Sequence, residues 1–272
     1  MTDLWVSVAV LGAAVLLSEA TRRAAVRLLP AAYRIYLVEA ASTFQLCSCT
    51  HELVLLGETA RLGLPVSLAL TYTVTVIHLL TFRGAACNLY GALESVCRGT
   101  SSVAAAVAIV ACQFGAAVAA RAFAASVWSL GLSDVHVRHR RFGFECFDSL
   151  RGTVLEAAVV ELVCAFTVQA AAVYARKLDE KLRVHFVAAV ITSAVYTGGS
   201  VSGAFFNPIL AFSVQFPCSG HTYLEYCFVY WLGPVLGATS WMLLLEKLLP
   251  FLSGKSSVGP DGVPAARKQK TQ

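Results

Sequence analysis

Residues 203–207 read Gly-Ala-Phe-Phe-Asn, and residues 84–88 read Gly-Ala-Ala-Cys-Asn. The asparagines that end these stretches are 119 positions apart (207 − 88). A second pair of landmarks, Glu39-x-x-x-Thr43-Phe44 and Glu161-x-x-x-Ala165-Phe166, recurs in the same order at a spacing of 122 positions (161 − 39). Two landmarks that repeat at nearly one spacing predict that the chain contains two homologous halves.

The composition places both halves in a lipid bilayer. The 272 residues are 57% hydrophobic and 14% charged, with a mean hydropathy of +0.69. A helical span needs about 20 apolar residues, and apolar segments of that order run at 4–29, 33–56, 64–82, 103–130, 150–175, 183–199 and 223–251. Two pieces that open with the repeated asparagines, 88–98 and 207–216, are too short to cross and predict re-entrant half-helices.

Three spans per half is an odd number, so the second half must insert upside down, as in the inverted repeats of channels and transporters. We therefore expect an extra N-terminal helix at 1–30, a channel domain at 31–252 with halves at about 33–130 and 150–251, and a disordered, Gly-, Pro- and Ser-rich tail at 253–272. Arginines and lysines between the spans put this tail on the cytosolic side. A cluster in the connection 131–149 would lie on the opposite side: Arg138, Arg140 and Arg141.

The two repeated asparagines are the main candidates for a pore site. A half-helix that starts in mid-membrane leaves up to four backbone N–H groups unpaired and about half a positive charge at its N-terminus. Asn88 and Asn207 can each cap those donors with a side-chain oxygen and still offer an amide N–H to a passing molecule. Two such ends that meet head to head predict a narrow pore that orients water and repels cations.

Several motifs resemble those of the aquaporin superfamily. Asn207-Pro208-Ile209 resembles the Asn-Pro-Ala signature, Trp-Leu-Gly-Pro-Val-Leu-Gly at 231–237 resembles the last-helix pattern, and the two acidic openings match the first and fourth helices. The resemblance covers about 33–251, and the stretches 42–53 and 218–226 are similar to the unorthodox, or superaquaporin, branch. It implies an all-α, aquaporin-like membrane fold in a homotetramer with one pore per subunit. It also implies that the acids Glu39 and Glu161 hold the re-entrant loops by accepting their N–H groups.

The chain departs from the orthodox pattern at two places. The first motif, Asn88-Leu89-Tyr90, lacks the proline that is pre-organised for the first helical position. Orthodox members carry an arginine just after the second motif, where this chain has Leu210, and the resemblance assigns the remaining filter positions to Leu68, Val195 and Ala204. An aliphatic ring offers no side-chain donors to a desolvated water. Slow water flow and a wider tolerance of glycerol or hydrogen peroxide are therefore expected.

These observations predict a passive channel for water and small neutral solutes, with a secondary transporter or a non-conducting membrane scaffold as the alternatives. No nucleophile elbow, phosphate-cradling glycine loop or zinc spacing occurs in the sequence, so we predict neither an enzyme nor a cofactor or metal site. No basic stripe interleaved with aromatic residues occurs either, so nucleic acid is not an expected partner.

Two further features bear on the cellular compartment in which the protein resides. Cys146 and Cys218 fall in the two connections on the non-cytosolic side, where a disulfide and two free thiols are equally compatible with the sequence. The chain ends Lys268-Gln269-Lys270-Thr271-Gln272, which resembles the dilysine retrieval signal of endoplasmic-reticulum membrane proteins. The alternative is a basic tail attracted to anionic lipid. We expect the endoplasmic reticulum membrane, with other intracellular membranes or the cell surface as alternatives.

Overall fold

The computed structural model describes residues 2–59, 62–216 and 218–244, and the regular structure in these ranges is helical apart from one isolated β-bridge between Phe147 and Ser219. The first seven helices are α1 (Thr2–Leu28), α2 (Ala31–Thr59), α3 (Leu64–Thr81), α4 (Leu89–Cys97), α5 (Val103–Ser129), α6 (Asp134–Arg141) and α7 (Val154–Ala175). They are followed by α8 (Glu180–Ser202), α9 (Pro208–Gln215), α10 (Tyr223–Cys227), a π-helical turn at Phe228–Leu232 and α11 (Gly233–Leu243). The tail at 253–272 lies outside the described residues, with Lys268 and Lys270.

Five helices, α1 from Asp3, α3, α5, α7 and α8, are long and apolar enough to cross a membrane by length and composition. The 29-residue α2 is not among these five helices and carries several polar side chains that are buried in the protein: Glu39, Ser42, Thr43, Gln45, His51 and Glu52. Burial against protein is the condition under which a spanning helix can carry acids at bilayer depth.

The expected inverted repeat is confirmed by the order and packing of the helices. Each half consists of two long helices, a half-helix and a third long segment, and α2 packs against α5 as α7 packs against α11. The halves interlock, because α3 packs against α8, the half-helix α9 against α5, and the half-helix α4 against α11. The additional helix α1 packs along α2.

Small residues allow α11 to pack closely against α7. A side chain at Gly233 or Gly237 would collide with backbone carbonyls of α7, at Ala158 and Leu162. Pro234, which follows Gly233, has no N–H to give to the preceding turn, and the helix is π-helical just before Gly233. The Trp-Leu-Gly-Pro-Val-Leu-Gly pattern therefore encodes a helix–helix contact and a local widening of the helix.

A short helix, α6, occupies part of the stretch at 131–149, which the sequence identified only as a connection. Ser133 caps it by accepting a hydrogen bond from the N–H of His136 at 3.2 Å, and four basic residues in its last turn suit the helix dipole. Arg140 donates to the carbonyl of Ser129 at 2.8 Å. The arginines of α6 therefore lie at the opposite end of α5 from Arg98.

Candidate pore and its two re-entrant loops

The loops before the two half-helices share left-handed backbone at two matching positions. Gly84 and Gly203 have φ values of 86° and 84°, and Cys87 and Phe206, three residues further on, have φ values of 52° and 35°. Left-handed backbone in a residue other than glycine costs on the order of 1 kcal/mol or more. These turns point consecutive backbone N–H groups away from the loop, and both loops therefore need a fixed acceptor.

A buried glutamate supplies that acceptor in each half. The carboxylate of Glu39 accepts hydrogen bonds from the N–H groups of Ala86 at 3.1 Å and Cys87 at 2.6 Å. Glu161 accepts from the N–H groups of Phe205 at 3.0 Å and Phe206 at 2.5 Å. The glutamates thus bind matching pairs of amides in the two halves.

Each glutamate has a third partner that the sequence analysis did not single out. Gln113 of α5 donates to Glu39 at 2.7 Å and to the carbonyl of Asn88 at 3.3 Å. The hydroxyl of Ser202 donates to Glu161 at 2.6 Å. A glutamine in the mostly apolar α5 was the available signal, because a buried amide requires polar partners.

Asn207 joins the two loops. Its side-chain oxygen accepts from the N–H groups of Ile209 at 3.0 Å and Leu210 at 3.4 Å, which caps α9. Its amide nitrogen donates to the carbonyl of Cys87 in the first loop at 2.8 Å. Pro208 occupies the first position of α9, and Pro208 and Ile209 are both buried.

Asn88 differs from Asn207, and the expectation that both asparagines cap their half-helices is corrected by the structure. Asn88 precedes α4, but its side chain makes no capping hydrogen bond, and its side-chain oxygen has no partner among the described residues. Leu89 and Tyr90, both half-buried, begin α4. The two asparagines differ in backbone ψ, which is 142° at Asn88 and 111° at Asn207, and only Asn207 is followed by a proline that fixes the first φ of its half-helix.

The four assigned filter residues lie near the second loop and on the two central helices. Ala204 and Leu210 are buried, whereas Leu68 of α3 and Val195 of α8 are half-buried. α3 packs against α8, and a side chain at Gly198 of α8 would lie 3.2 Å from the Cβ of Ala204. None of the four side chains carries a polar atom.

Arg121 of α5 binds the far end of α9. Its guanidinium donates to the carbonyl of Ser213 at 2.8 and 3.0 Å and to that of Phe212 at 2.5 Å, and it lies 5.8 Å from the centre of the Phe212 ring. The last carbonyls of a helix have no partners within it and carry partial negative charge, so a cation there stabilises the helix end. The sequence analysis missed this residue, although a lone arginine in an apolar span is a recognisable signal.

A disulfide fastens the connection before α7 to the end of α9. Cys146 and Cys218 are bonded, with Cα atoms 4.8 Å apart. Beside the disulfide, Ser219 donates to the carbonyl of Cys146, and Asp148 donates to that of Ser219, both at 2.9 Å. Ser149 donates its N–H to the side-chain oxygen of Gln215 at 2.7 Å.

Under this connection lies a cavity of about 380 Å³, whose lining includes His51, Arg121, Trp128, His139, Cys146 and Cys218. Burial lowers the pKa of His139, and the neighbouring His136 lowers it further. His51 and His78 are both buried and have partners: His51 lies 3.1 Å from the Ser213 hydroxyl, and His78 lies 3.0 Å from the Gln45 amide nitrogen.

Comparison with known proteins identifies relatives of the chain. No model of a protein family matches it. It is 36% identical to human aquaporin-11 over 223 residues, which cover 82% of each chain. It is 34% identical to human putative aquaporin-12B over 282 aligned positions, which cover 100% of this chain and 92% of that protein. Among solved structures, the aquaglyceroporin from Plasmodium falciparum has the same fold, with a TM-score of 0.64 at 14% identity, over 81% of this chain and 98% of that one.

Proposed function

The chain belongs to the aquaporin family, whose members are channels for water or small solutes, and on that premise we propose that it passes water, glycerol and hydrogen peroxide passively across an intracellular membrane. The observation that carries the proposal is the hydrogen bond from Asn207 to the carbonyl of Cys87, which joins the starts of the two half-helices. Two helix N-termini that face one point place positive potential there, which opposes cations and admits neutral molecules.

The aliphatic filter supports the choice of solutes. Because Leu68, Val195, Ala204 and Leu210 present no donors, a water molecule must give up hydrogen bonds to pass, whereas a molecule with carbon atoms gains apolar contact. Water is therefore slowed relative to an arginine-lined filter, and glycerol is favoured. Reconstitution into liposomes with stopped-flow water, glycerol and peroxide assays tests this proposal. Flux that is linear in the gradient supports a channel, saturable ion-coupled flux supports a transporter, and no flux above empty liposomes supports a scaffold.

We expect Asn207→Asp to let cations through the pore. The substitution removes the amide donor to Cys87 and adds a negative charge near the two helix N-termini. Each N-terminus carries about half a positive charge, and the carboxylate cancels this positive potential. Potassium leak from liposomes should rise about tenfold, the change that about 1.4 kcal/mol of barrier produces.

Ser102→Asp is the matched control for this substitution. It adds the same charge at the exposed cap of α5, where aspartate is an equally good cap. The control should not leak. A folded Asn207→Asp protein with unchanged solute flux and unchanged leak would remove Asn207 from the pore.

We expect Leu210→Arg to reduce glycerol flux about tenfold. The guanidinium restores donors to the filter and fills part of the space that the leucine leaves, so the mouth becomes narrower and more polar. Glycerol swelling assays in liposomes measure the effect, and Leu130→Arg, at the exposed C-terminal cap of α5, is the control. Undiminished glycerol flux would show that Leu210 does not line the constriction.

We also propose residence in the endoplasmic reticulum through Lys268 and Lys270, and a homotetramer with one pore per subunit. A receptor-read signal depends on residue identity, whereas attraction to anionic lipid depends on charge alone. The double change Lys268→Arg and Lys270→Arg should therefore move most of the protein to the cell surface, as measured by surface biotinylation. Retention of this variant together with escape of the double glutamine variant would favour lipid attraction. The molecular mass of the detergent-solubilised protein tests the tetramer.

A further inference from the structure

The additional helix α1 carries a buried arginine that the repeat does not account for. The side chain of Arg22 is fully buried, and an unpaired arginine at bilayer depth costs about 3 kcal/mol on insertion scales. Its guanidinium is paired with the carboxylate of Glu19 at 3.1 Å, with the side-chain oxygen of Gln45 at 2.7 Å and with the hydroxyl of Ser42 at 3.3 Å. Arg22 therefore ties α1 to the polar face of α2.

The hydrogen bonds continue from α2 to the last turn of α3. The amide nitrogen of Gln45 donates to the hydroxyl of Thr81 and to the ring nitrogen of His78, both at 3.0 Å. The hydroxyl of Ser42 donates to the carbonyl of Phe82 at 3.4 Å. The network that begins at Arg22 thus reaches the residues immediately before the first re-entrant loop.

A second contact from α1 holds the start of that loop directly. The carboxylate of Glu19 accepts from the guanidinium of Arg83 at 2.5 Å. Arg83 has a φ of 52° and is followed by Gly84 with a φ of 86°, which is the turn that sends the chain back into the membrane. The backbone of Arg83 is strained, and strained backbone persists only where surrounding contacts hold it.

The second re-entrant loop is held from within its own half. Ser202, which occupies the position equivalent to Arg83 (83 + 119), donates to Glu161, and Asn207 with Pro208 caps the half-helix. The first half-helix has neither the proline nor the side-chain cap. The first loop is thus the less constrained of the two by its own residues, and it is the one that α1 contacts.

We infer that Glu19 and Arg22 of α1 are positioning residues for the first re-entrant loop. The additional helix therefore holds part of the pore in its conducting position. This inference rests on the proposed channel function. α1 supplies, from outside the repeat, the restraint that the missing proline and cap would otherwise give to Asn88.

The far end of α1 provides a matched control. There the hydroxyl of Ser7 donates to Glu52 at 2.5 Å, and Glu52 also accepts from Trp128 at 2.9 Å and from His136 at 3.0 Å. This cluster is also buried and also holds α1, but among the described residues its three hydrogen bonds to Glu52 do not involve a re-entrant loop. Loss of a contact at this end should loosen α1 without moving the first loop.

Labelling of Cys87 measures loop position independently of flux. Its thiol is buried, 1% exposed, beside Asn88. In the full-length protein in liposomes, Glu19→Gln and Arg83→Gln should each raise the rate of Cys87 alkylation by N-ethylmaleimide about tenfold, as read by peptide mass spectrometry, because the loop opens more often. The double variant should label no faster than Glu19→Gln alone, since that change already removes the partner of Arg83. Ser7→Ala should leave the rate unchanged.

Flux completes the test. Glu19→Gln and Arg83→Gln should change the ratio of glycerol to water flux, and Ser7→Ala should not. The inference is overturned if the folded Glu19→Gln and Arg83→Gln proteins label and conduct as the wild type does. It is also overturned if Ser7→Ala labels as fast as they do, because α1 would then act through stability alone. If the wild type conducts nothing, the proposed function fails, while the labelling rates still decide whether α1 positions the loop.

Discussion

Glu161→Leu is expected to lower the free energy of unfolding by about 3 kcal/mol or more and to abolish solute flux. The substitution leaves three donors without an acceptor in a buried site: the N–H groups of Phe205 and Phe206 and the hydroxyl of Ser202. Each unsatisfied buried donor costs about 1–3 kcal/mol. The second loop then has no anchor for the left-handed turn at Phe206, and α9 loses its position.

The measurement is thermal unfolding in detergent micelles, followed by tryptophan fluorescence, together with flux in liposomes. Glu156→Gln on the same helix is the matched control, because Glu156 is exposed and its capping-box acceptor survives as an amide oxygen. The control should unfold within about 0.5 kcal/mol of the wild type. Wild-type stability and flux in Glu161→Leu would show that the loop does not depend on this carboxylate.

Removal of the disulfide is the second large effect that we expect. Cys146 and Cys218 are separated by 72 positions, and the chain-entropy relation for a loop of that length gives about 4 kcal/mol. Cys146→Ser, Cys218→Ser and the double variant should be destabilised by nearly the same amount, because each breaks one bond. The released connection also frees the end of α9, so flux should fall with stability.

Denaturant unfolding of the detergent-solubilised protein, with and without reductant, measures this effect. Reductant should destabilise the wild type and leave the double variant unchanged. Cys97→Ser is the control, since Cys97 is a free and exposed thiol. Single variants that keep wild-type stability would show that the bond contributes little to the folded state.

Much of the fold was predictable because it rests on features that are local in the sequence. The spacing of the repeated stretches predicted two halves, and the lengths of the apolar segments separated spans from half-helices. Glu39 and Glu161 were singled out because they recur at matching positions of the two halves and because the family resemblance assigns them to the re-entrant loops. The cap at Asn88 was predicted wrongly, because a residue type shows only that it can cap, whereas the cap itself depends on the backbone and side-chain conformation at the start of α4.

The partners of other site residues were not predictable, because those contacts join residues that are distant in sequence. Gln113 lies 74 positions from Glu39, and Arg121 lies 92 positions from Ser213. Neither belongs to a motif, and each gained a role only when α5 was packed against both re-entrant loops. Glu94, to which the sequence analysis assigned no role, accepts from Gln169 at 3.1 Å and pairs with Arg98 at 2.9 Å. It thereby links α4 to α7.

The sequence by itself determined that the chain is a membrane protein built from an inverted repeat, because hydropathy and repeat spacing are properties of the chain that need no coordinates. Only the tertiary structure decided how the two loops differ, with Asn207 capping its half-helix and Asn88 making no cap. It also decided that α1, outside the repeat, contacts the first loop through the ion pair between Glu19 and Arg83. The physical reason is that hydrogen bonds and ion pairs act over about 3 Å in space, whatever the separation of their partners along the chain.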